Sequence, residues 1–353
     1  MDNMFKEKKI LGILGIAIVL VSIGFIIFTV VNKKEPVFEN DNTEETEKKE
    51  EEKVEEKKEI TIIDVNSNSR PIAVMVNNIN VARRVQSGLQ DAYIVYEIVA
   101  EGGITRMLAV FKDKDTARIG SVRSTRQYYL DYALENDAIY IHYGGIDKFL
   151  NQIKQLGIQN INGDESAFWR DKNLNLAYEH TAFTSMEKIL KTSKNKGYRL
   201  TSDKETLLNY TVDEVNLSEK EDSVVANSVD IKYSSDCITN YVYNADEEIY
   251  YRSVNNKAHI DYVTKEQYTT KNIIVAFVRN YNTPGDTKGR QTLDNIGTGS
   301  GYYITNGYAV PITWEKKSRE AQTVYKYKDG NEIDVSDGNT YIQIVKSNST
   351  TIK

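Results

Sequence analysis

The stretch IGSVRSTRQYYLDY, residues 119–132, decides how the fold is interpreted, because an apolar run gives way there to a helix-like pattern. Arg123 and Arg126 stand three positions apart at this change, with hydroxyl residues beside them. Their surroundings predict a βαβ unit, in which a helix joins two parallel strands. Its parts are a strand at residues 117–122, a helix at residues 124–135 and a strand at residues 138–143.

The sequence on both sides extends this pattern into a mixed α/β domain over residues 61–200. Further strands are predicted at residues 72–76, 92–99 and 105–111, and further helices at residues 146–156 and 184–194. A polar linker at residues 201–228 follows, and then tyrosine-rich runs separated by Asn, Asp and Gly predict a β-rich domain over residues 229–353. The expected fold class is therefore α+β, with an α/β first domain.

The N-terminal region predicts a membrane anchor. A run of 22 uncharged residues begins at Ile10 and ends at Val31, about the length that crosses a hydrocarbon core of roughly 30 Å as a helix. A cleaved signal peptide is the alternative, but its apolar region is normally about 7–15 residues long and ends in small residues. Lysines flank both ends and weakly favour a cytoplasmic tail at residues 1–9. We expect a single-pass protein of the cell membrane with its folded part outside the cytoplasm.

Residues 32–60 predict a disordered acidic stalk. Between residues 35 and 59 the chain has twelve acidic and five basic residues and no apolar periodicity. This segment has a net charge of −7, so the whole-chain charge of −6 leaves the remainder near +1. A nearly neutral folded part argues against nucleic-acid binding. Cys237 is the one cysteine of the chain, so the sequence excludes an intramolecular disulfide.

The start of the predicted helix at residue 124 is a candidate anion site. Ser124 or Thr125 is expected to cap this helix, whose free N–H groups attract negative charge. Arg123 and Arg126 add planar donor groups that suit phosphate or carboxylate. The alternative is that both arginines pair with carboxylates of the chain and only fix the sheet edge. The candidate partners for such pairing are Asp131, Glu97 and Glu101.

A second wall of the same crevice is predicted where the strand at residues 138–143 ends, because parallel strands end at one edge of a sheet. His142 stands there beside Gly144 and Gly145, which let the backbone approach a ligand. His142 could donate to an anion or transfer a proton, or it could be a structural histidine. His180 and Asn77 could face the same crevice, again with a structural alternative. Turn or surface roles are favoured for three further residues: Asn78, Arg83 and Arg84.

The usual catalytic motifs are missing from the sequence. It has no zinc-type Cys/His array, no H-E-x-x-H and no G-x-S-x-G elbow. Gly297, Gly299 and Gly301 lack the spacing of a dinucleotide loop and are predicted to lie in turns. No catalytic residue, metal ligand or cofactor is therefore predicted.

Several stretches of the chain resemble the YerB-like family, bacterial envelope proteins with a domain of unknown function. The stretches are RPIAVMVNN, EGGITRMLAVF, IGSVRSTRQYYLDYA, AIYIHYGG and YYRSVNNKAHID, in that order. The resemblance implies an extracytoplasmic location and a two-part fold, without a known reaction. Family members often have a lipoprotein signal where this chain has an apolar span, and they tend to have tryptophan where this chain has Tyr341.

Two stretches, TRMLAVFKDKDTARIGSVRSTR and HYGG, resemble the LytR-CpsA-Psr proteins more distantly. Those membrane-anchored enzymes transfer glycopolymers from polyprenyl pyrophosphate to the cell wall. The likeness puts Arg123 and Arg126 where pyrophosphate-binding residues are expected. Two positions depart from that family: Thr125 stands where an aspartate is usual, and "ITR" stands where an acidic metal ligand is usual. Without those carboxylates, the likeness favours binding of a pyrophosphate group over its magnesium-assisted transfer.

These observations favour a non-catalytic envelope protein that binds an anionic, glycan-type or wall-associated ligand. Two other functions stay open. One is a phosphotransferase that acts on polyprenyl-pyrophosphate-linked wall glycopolymers. The other is a structural or assembly factor that binds another envelope protein.

Overall fold

The computed structural model describes residues 59–353, where strands predominate and the main sheet is mixed. Within this part of the chain, no helix has the length and apolar character needed to cross a membrane. The tail predicted at residues 1–9 and the span predicted at residues 10–31 lie outside the described residues. The same holds for all but the last two residues of the stalk predicted at residues 32–60.

The described chain has few helices and many short strands. The helices are α1 (Asn80–Arg83), α2 (Gln127–Glu135), α3 (Asp147–Gln155) and α4 (Met186–Asn195). The first strands are β1 (Ile72–Asn77), β2 (Ile94–Val99), β3 (Thr105–Phe111), β4 (Ile119–Gly120), β5 (Ile139–His142), β6 (Asn160–Asn162), β7 (Phe168–Arg170), β8 (Ala182–Thr184) and β9 (Asn209–Thr211). The later strands are β10 (Val224–Val225), β11 (Ser228–Ser234), β12 (Cys237–Asn244), β13 (Ile249–Val254), β14 (Lys257–Ala258), β15 (Thr269–Thr270), β16 (Asn272–Phe277), β17 (Asn280–Asn282), β18 (Gln291–Leu293), β19 (Gly297–Thr305), β20 (Tyr308–Lys316), β21 (Val324–Lys326), β22 (Asp334–Ser336), β23 (Thr340–Val345) and β24 (Thr350–Ile352).

The main sheet has the strand order β10-β20-β19-β16-β23-β2-β3-β1-β5-β6. Strand β23 lies between β2 and β16 and is parallel to both, so that Tyr341 is opposite Val95 on one side and Ile273 on the other. Strands β1, β2, β3 and β23 are buried along their whole length, which explains their almost continuous apolar sequences. The domain boundaries at residues 200 and 229 stay predictions, although this sheet takes strands from both sides of them.

The predicted βαβ unit at residues 117–143 is wrong. Strand β4 is only two residues long and pairs antiparallel with β8 in a separate small sheet. Strand β5 is parallel to β1 and to β6, so the parallel crossover through a helix is β5–α3–β6. The apolar run correctly indicated extended backbone, but long-range pairing decided which strand lies next to it.

Helix α2 begins at Gln127, three residues later than predicted, and neither Ser124 nor Thr125 caps it. Arg126 occupies the cap position and makes no side-chain capping hydrogen bond. The preceding segment is held extended instead, because Arg123 N donates to Met75 O at 2.9 Å and Thr125 N donates to Gly144 O at 3.1 Å. The helix start that was predicted to bind an anion therefore does not lie at residues 124–125. Those residues form an extended segment instead.

A second sheet, with the strand order β14-β13-β12-β11-β24 and β15 beside β13, is antiparallel throughout. Its buried tyrosines pack against the main sheet, as in the edge contact between Tyr241 and Tyr341, whose ring centres are 6.0 Å apart.

The turn prediction for Gly297, Gly299 and Gly301 is wrong, since all three lie in β19 of the main sheet. A Cβ on Gly301 would lie 1.9 Å from Val275 O, so glycine is required there by close backbone approach.

Candidate functional site

Arg126 forms a bidentate ion pair with Glu101, in the turn between β2 and β3. Arg126 Nη2 donates to Glu101 Oε2 at 2.8 Å, and Arg126 Nε donates to Oε1. Arg106 approaches the same carboxylate, with its Nη2 3.8 Å from Oε2. Burial would raise the pKa of Glu101, but the hydrogen bond from Arg126 and the charges of Arg126 and Arg106 lower that pKa below its usual value. Two guanidinium groups therefore share one ionised carboxylate.

Arg106 is the most enclosed of the three arginines at this place. It is 4% exposed, its Nη1 donates to the carbonyl oxygen of Ser124, and its Nε has no hydrogen-bond partner in the described chain. Burial, followed by the positive charge of Arg126, lowers the pKa of Arg106 to about 10. The guanidinium remains charged at neutral pH, and positive charge is therefore concentrated beneath the predicted site.

Arg123 holds a short 3₁₀ turn, Tyr178–His180. Its two terminal nitrogens donate to the backbone oxygen and to the carboxylate of Glu179, both at 3.2 Å. The Glu179 side chain is 57% exposed, so this ion pair is open to water. Arg106, Arg123 and Arg126, which we call the arginine cluster, thus face two carboxylates. The alternative to ligand binding was that the arginines pair with carboxylates of the chain, and such pairs are observed. Glu101 was one of the predicted partners, whereas Glu179 was not.

His180 and Asn77 lie together next to this turn. Asn77 Nδ2 donates to His180 Nδ1 at 3.0 Å, and His180 Nε2 is 3.9 Å from the carboxylate of Glu179. Burial, and then the charge of Arg123, lowers the pKa of His180 below its usual value. The neutral ring therefore has its proton on Nε2, on the side of Glu179. His180 and Asn77, both predicted site residues, therefore lie close to Arg123. The link is Glu179, which contacts Arg123 and approaches His180.

Ser124, Thr125, Gly144 and Gly145 join the segment before α2 to the end of β5. Ser124 Oγ donates to the Tyr143 carbonyl oxygen at 3.1 Å. Gly144 has a φ of +88°, which favours glycine, and a Cβ on Gly145 would lie 2.8 Å from the Thr125 methyl group. These residues hold the arginine cluster in place by tight packing, and their polar groups form hydrogen bonds with neighbouring residues of the chain.

His142 is fully buried, and both of its ring nitrogens are engaged within the chain. Nδ1 donates to the Gly144 carbonyl oxygen at 2.9 Å, and Nε2 accepts from Asn160 Nδ2 at 2.9 Å. The ring stacks on Tyr140 with 5.0 Å between ring centres. Burial lowers the pKa of His142 to about 4, so the ring is neutral at physiological pH. We therefore leave His142 out of the proposed ligand contacts.

Sequence reasoning missed Arg106 and Glu179 as parts of this site. A usable signal existed for Arg106, because it is the one charged residue in the otherwise apolar or neutral strand TRMLAVF. A charged side chain in a strand buried on both faces is rare without a partner. Glu179 had no such signal, because its partner Arg123 is 56 residues away in the sequence.

A second polar network is buried between β2 and the second sheet. Arg252 Nη2 lies 2.8 Å from Glu97 Oε2, and both side chains are 0% exposed. Arg252 Nη1 also contacts His259 Nδ1, and His259 Nε2 contacts Gln86 Oε1. Glu97 accepts further hydrogen bonds from three residues: Asn78, Thr105 and Thr239. This network connects segments that are far apart in the sequence.

Residues 59–353 contain no assembled group of metal ligands and one buried thiol. No group of three or more His, Cys, Asp or Glu side chains there is arranged to hold a metal ion. Cys237 is a buried free cysteine, and burial raises the pKa of its thiol. A raised pKa disfavours the reactive thiolate form.

Comparison with known proteins places the chain in a family. Residues 60–199 match the description "Protein of unknown function (DUF3048) N-terminal domain", and residues 229–342 match the corresponding C-terminal domain. The chain therefore belongs to the DUF3048 family.

A relative of known sequence is "Putative lipoprotein YerB" from Bacillus subtilis (strain 168). It is 32% identical over 282 residues, which are 78% of this chain and 81% of that protein. The crystal structure of YerB protein from Bacillus subtilis is similar with a TM-score of 0.70 at 30% identity, covering 81% of this chain and 94% of the other. The resemblance to YerB-like proteins is thus confirmed.

Proposed function

We propose that this chain is an extracytoplasmic protein of the cell envelope that binds an anionic, glycan-type ligand of the wall at the arginine cluster. The lipoprotein name of the Bacillus subtilis relative and the apolar run from Ile10 to Val31 both support attachment at a membrane. Binding without catalysis is the favoured form of the proposal because the cluster offers donors and positive charge that suit an anion, and its carboxylates are paired with arginines.

The observation that carries the proposal is the charge balance of the cluster. Three guanidinium groups face two carboxylates, and one of those carboxylates, Glu179, is 57% exposed. An incoming phosphate or carboxylate group would replace Glu179 on Arg123 and neutralise the remaining positive charge. Arginine binds such groups in a planar, two-pronged geometry, which suits this exchange.

An exposed aromatic ring beside the cluster favours a sugar-containing ligand. Tyr178 is 71% exposed and directly precedes Glu179 in the turn that Arg123 holds. The guanidinium of Arg170 lies 3.7 Å from the centre of the Tyr178 ring and fixes one face of it. An immobilised, amphipathic ring offers a flat contact surface at low entropic cost, which suits the apolar face of a sugar.

The proposal predicts opposite effects for two substitutions. Arg123→Gln should weaken the binding of pyrophosphate or of a phosphate-containing wall-glycan fragment by at least about tenfold, because it removes a charge-assisted donor pair. Glu179→Gln should strengthen the same binding about threefold, because it removes the internal competitor. Isothermal titration of the full-length chain in phosphatidylcholine nanodiscs measures both constants.

Arg279→Gln is the matched control, since Arg279 forms an exposed ion pair with Asp294 elsewhere on the chain. It should leave the affinity unchanged. The proposal is contradicted if wild type binds no anion, and also if Glu179→Gln and Arg123→Gln weaken binding equally. Repeating the titration with magnesium, a polyprenyl-pyrophosphate-linked glycan and a wall-glycan acceptor tests the phosphotransferase. Attack of an acceptor hydroxyl on the glycan-side phosphorus would form a phosphodiester, lose the hydroxyl proton to water and release the polyprenyl monophosphate.

A further inference from the structure

A cavity outside the arginine cluster is lined by four basic side chains. Its volume is about 580 Å³, and it lies between α1 and the residues around β14. This volume falls within the range of about 300–1,000 Å³ that is usual for small-molecule sites. We call it the basic cavity, and its cations are Arg83, Arg84, Lys257 and Lys265.

Within residues 59–353 none of these four cations forms an ion pair with a carboxylate. Arg83 donates to the Asn78 carbonyl oxygen at 2.6 Å, and Lys265 donates to the Tyr262 carbonyl oxygen at 2.5 Å. The arginine cluster differs, because its exposed members already have carboxylate partners. Four unpaired cations around one cavity produce a positive potential that draws in anions.

The single carboxylate of the lining does not neutralise this charge. Asp261 is 4% exposed and accepts hydrogen bonds from Gly88 N at 2.8 Å, from Tyr268 Oη at 2.8 Å and from Val263 N at 2.6 Å. Its oxygens therefore fix the loop that follows β14 rather than reaching the cations. The loop contributes Lys265 and an aromatic ring to a wall that is held in place before any ligand binds.

The rest of the lining is mainly apolar. Val81, Ile260 and Tyr262 line the cavity and are each more than one third exposed, at 38%, 37% and 36%. Lys265 Nζ lies 4.1 Å from the centre of the Tyr262 ring, so a cation and an aromatic face adjoin. Exposed apolar groups among unpaired cations suit a ligand that has both an anionic and an apolar part.

We propose that the basic cavity binds a phosphate ester with an apolar substituent, with Arg84 and Lys257 as its principal charge contacts. A phosphate ester offers one or two negative charges on two or three terminal oxygens in a tetrahedral arrangement, so it can contact several cations from different directions, which a planar carboxylate does less readily. The apolar substituent packs on Val81, Ile260 and Tyr262. The same chemistry occurs in soluble phosphate esters and in phospholipid headgroups.

The test titrates the full-length chain, held in phosphatidylcholine nanodiscs, with three soluble probes: phenyl phosphate, inorganic phosphate and phenol. Phenyl phosphate should bind more tightly than either of the other two. The double substitution Arg84→Gln/Lys257→Gln should weaken its binding at least about tenfold, because two charge-assisted contacts are lost. Every titration is made in the Arg123→Gln background, because the arginine cluster is itself proposed to bind phosphate groups. In that background Lys148→Ala, on the exposed side of α3, should leave the binding of phenyl phosphate unchanged.

A parallel measurement of chain binding to vesicles with and without phosphatidylglycerol identifies the source of the phosphate. Binding of phenyl phosphate alone indicates a soluble ester, and additional binding to phosphatidylglycerol vesicles that the double substitution abolishes indicates a lipid headgroup. The proposal is overturned if phenyl phosphate binds no better than phenol, or if the added double substitution leaves its binding as it was in Arg123→Gln alone. Because these titrations are made without the Arg123 contact, failure here is distinguishable from failure of the proposed envelope function.

Discussion

Replacing Arg252 with Met is expected to lower the free energy of unfolding by about 3–5 kcal/mol, because it leaves the buried carboxyl group of Glu97 without its cation. Both side chains are 0% exposed in the wild-type chain. The Met side chain fills similar space but cannot donate a hydrogen bond. Denaturant unfolding of the full-length chain in nanodiscs measures the loss as a fall in the midpoint concentration.

Two further variants separate the loss of the buried pair from a general effect of losing an arginine. Arg279→Met removes a cation whose side chain is 78% exposed, and it should cost less than about 1 kcal/mol. The double substitution Glu97→Gln/Arg252→Met removes both charges and should recover part of the stability lost in the single variant. Equal small losses for Arg252→Met and Arg279→Met would contradict the expectation.

The second large effect concerns His142 and acid. Its pKa is lowered from 6.5 to about 4 by burial, so the unfolded chain takes up a proton in a pH range where the folded chain does not. The stability contributed by the neutral ring is therefore fully present above the unfolded pKa and is lost as the pH falls from 6.5 towards 4. Between about pH 7.5 and about pH 5 this single ring should account for a loss of about 2 kcal/mol.

Unfolding of wild type and of His142→Gln at several pH values measures this contribution. Glutamine does not titrate, so the variant should lose less stability than wild type over the same interval, whatever its stability at pH 7.5. His180 and His259, whose pKa values are also lowered by burial, remain in both proteins and contribute equally. Parallel pH profiles for the two proteins would show that His142 is not responsible.

The central strands could be predicted from the sequence because they are buried on both faces. Strand β3 has the predicted bounds, and β1 extends the prediction by one residue. The partner of β4 could not be predicted, since a short apolar run gives no information about which of several edges it joins. Helix α2 starts late because backbone hydrogen bonds to Met75 and Gly144 hold residues 123–125 extended.

The ligand-binding roles assigned to the residues of the candidate site stay predictions, but the sequence did indicate which side chains lie near one another. Clustered arginines beside a strand end indicated its position, and Glu101 was among the proposed partners. The roles of His142 and of the hydroxyl residues were less predictable, because each depends on which atoms of a distant segment complete its hydrogen bonds. The basic cavity was harder still, since Arg83 and Lys257 are far apart in the sequence and each alone resembles an ordinary surface residue.

The position of β23 has a consequence for biosynthesis. Because residues 340–345 provide the strand between β2 and β16, a ribosome has to release nearly the whole polypeptide before the two inner edges can join. Pairing over such long sequence separations is slow, and an incomplete nascent chain exposes strand edges that are prone to aggregation. Truncated products that end before residue 340 should therefore be degraded or aggregate, and protease resistance should appear only in the last stage of synthesis.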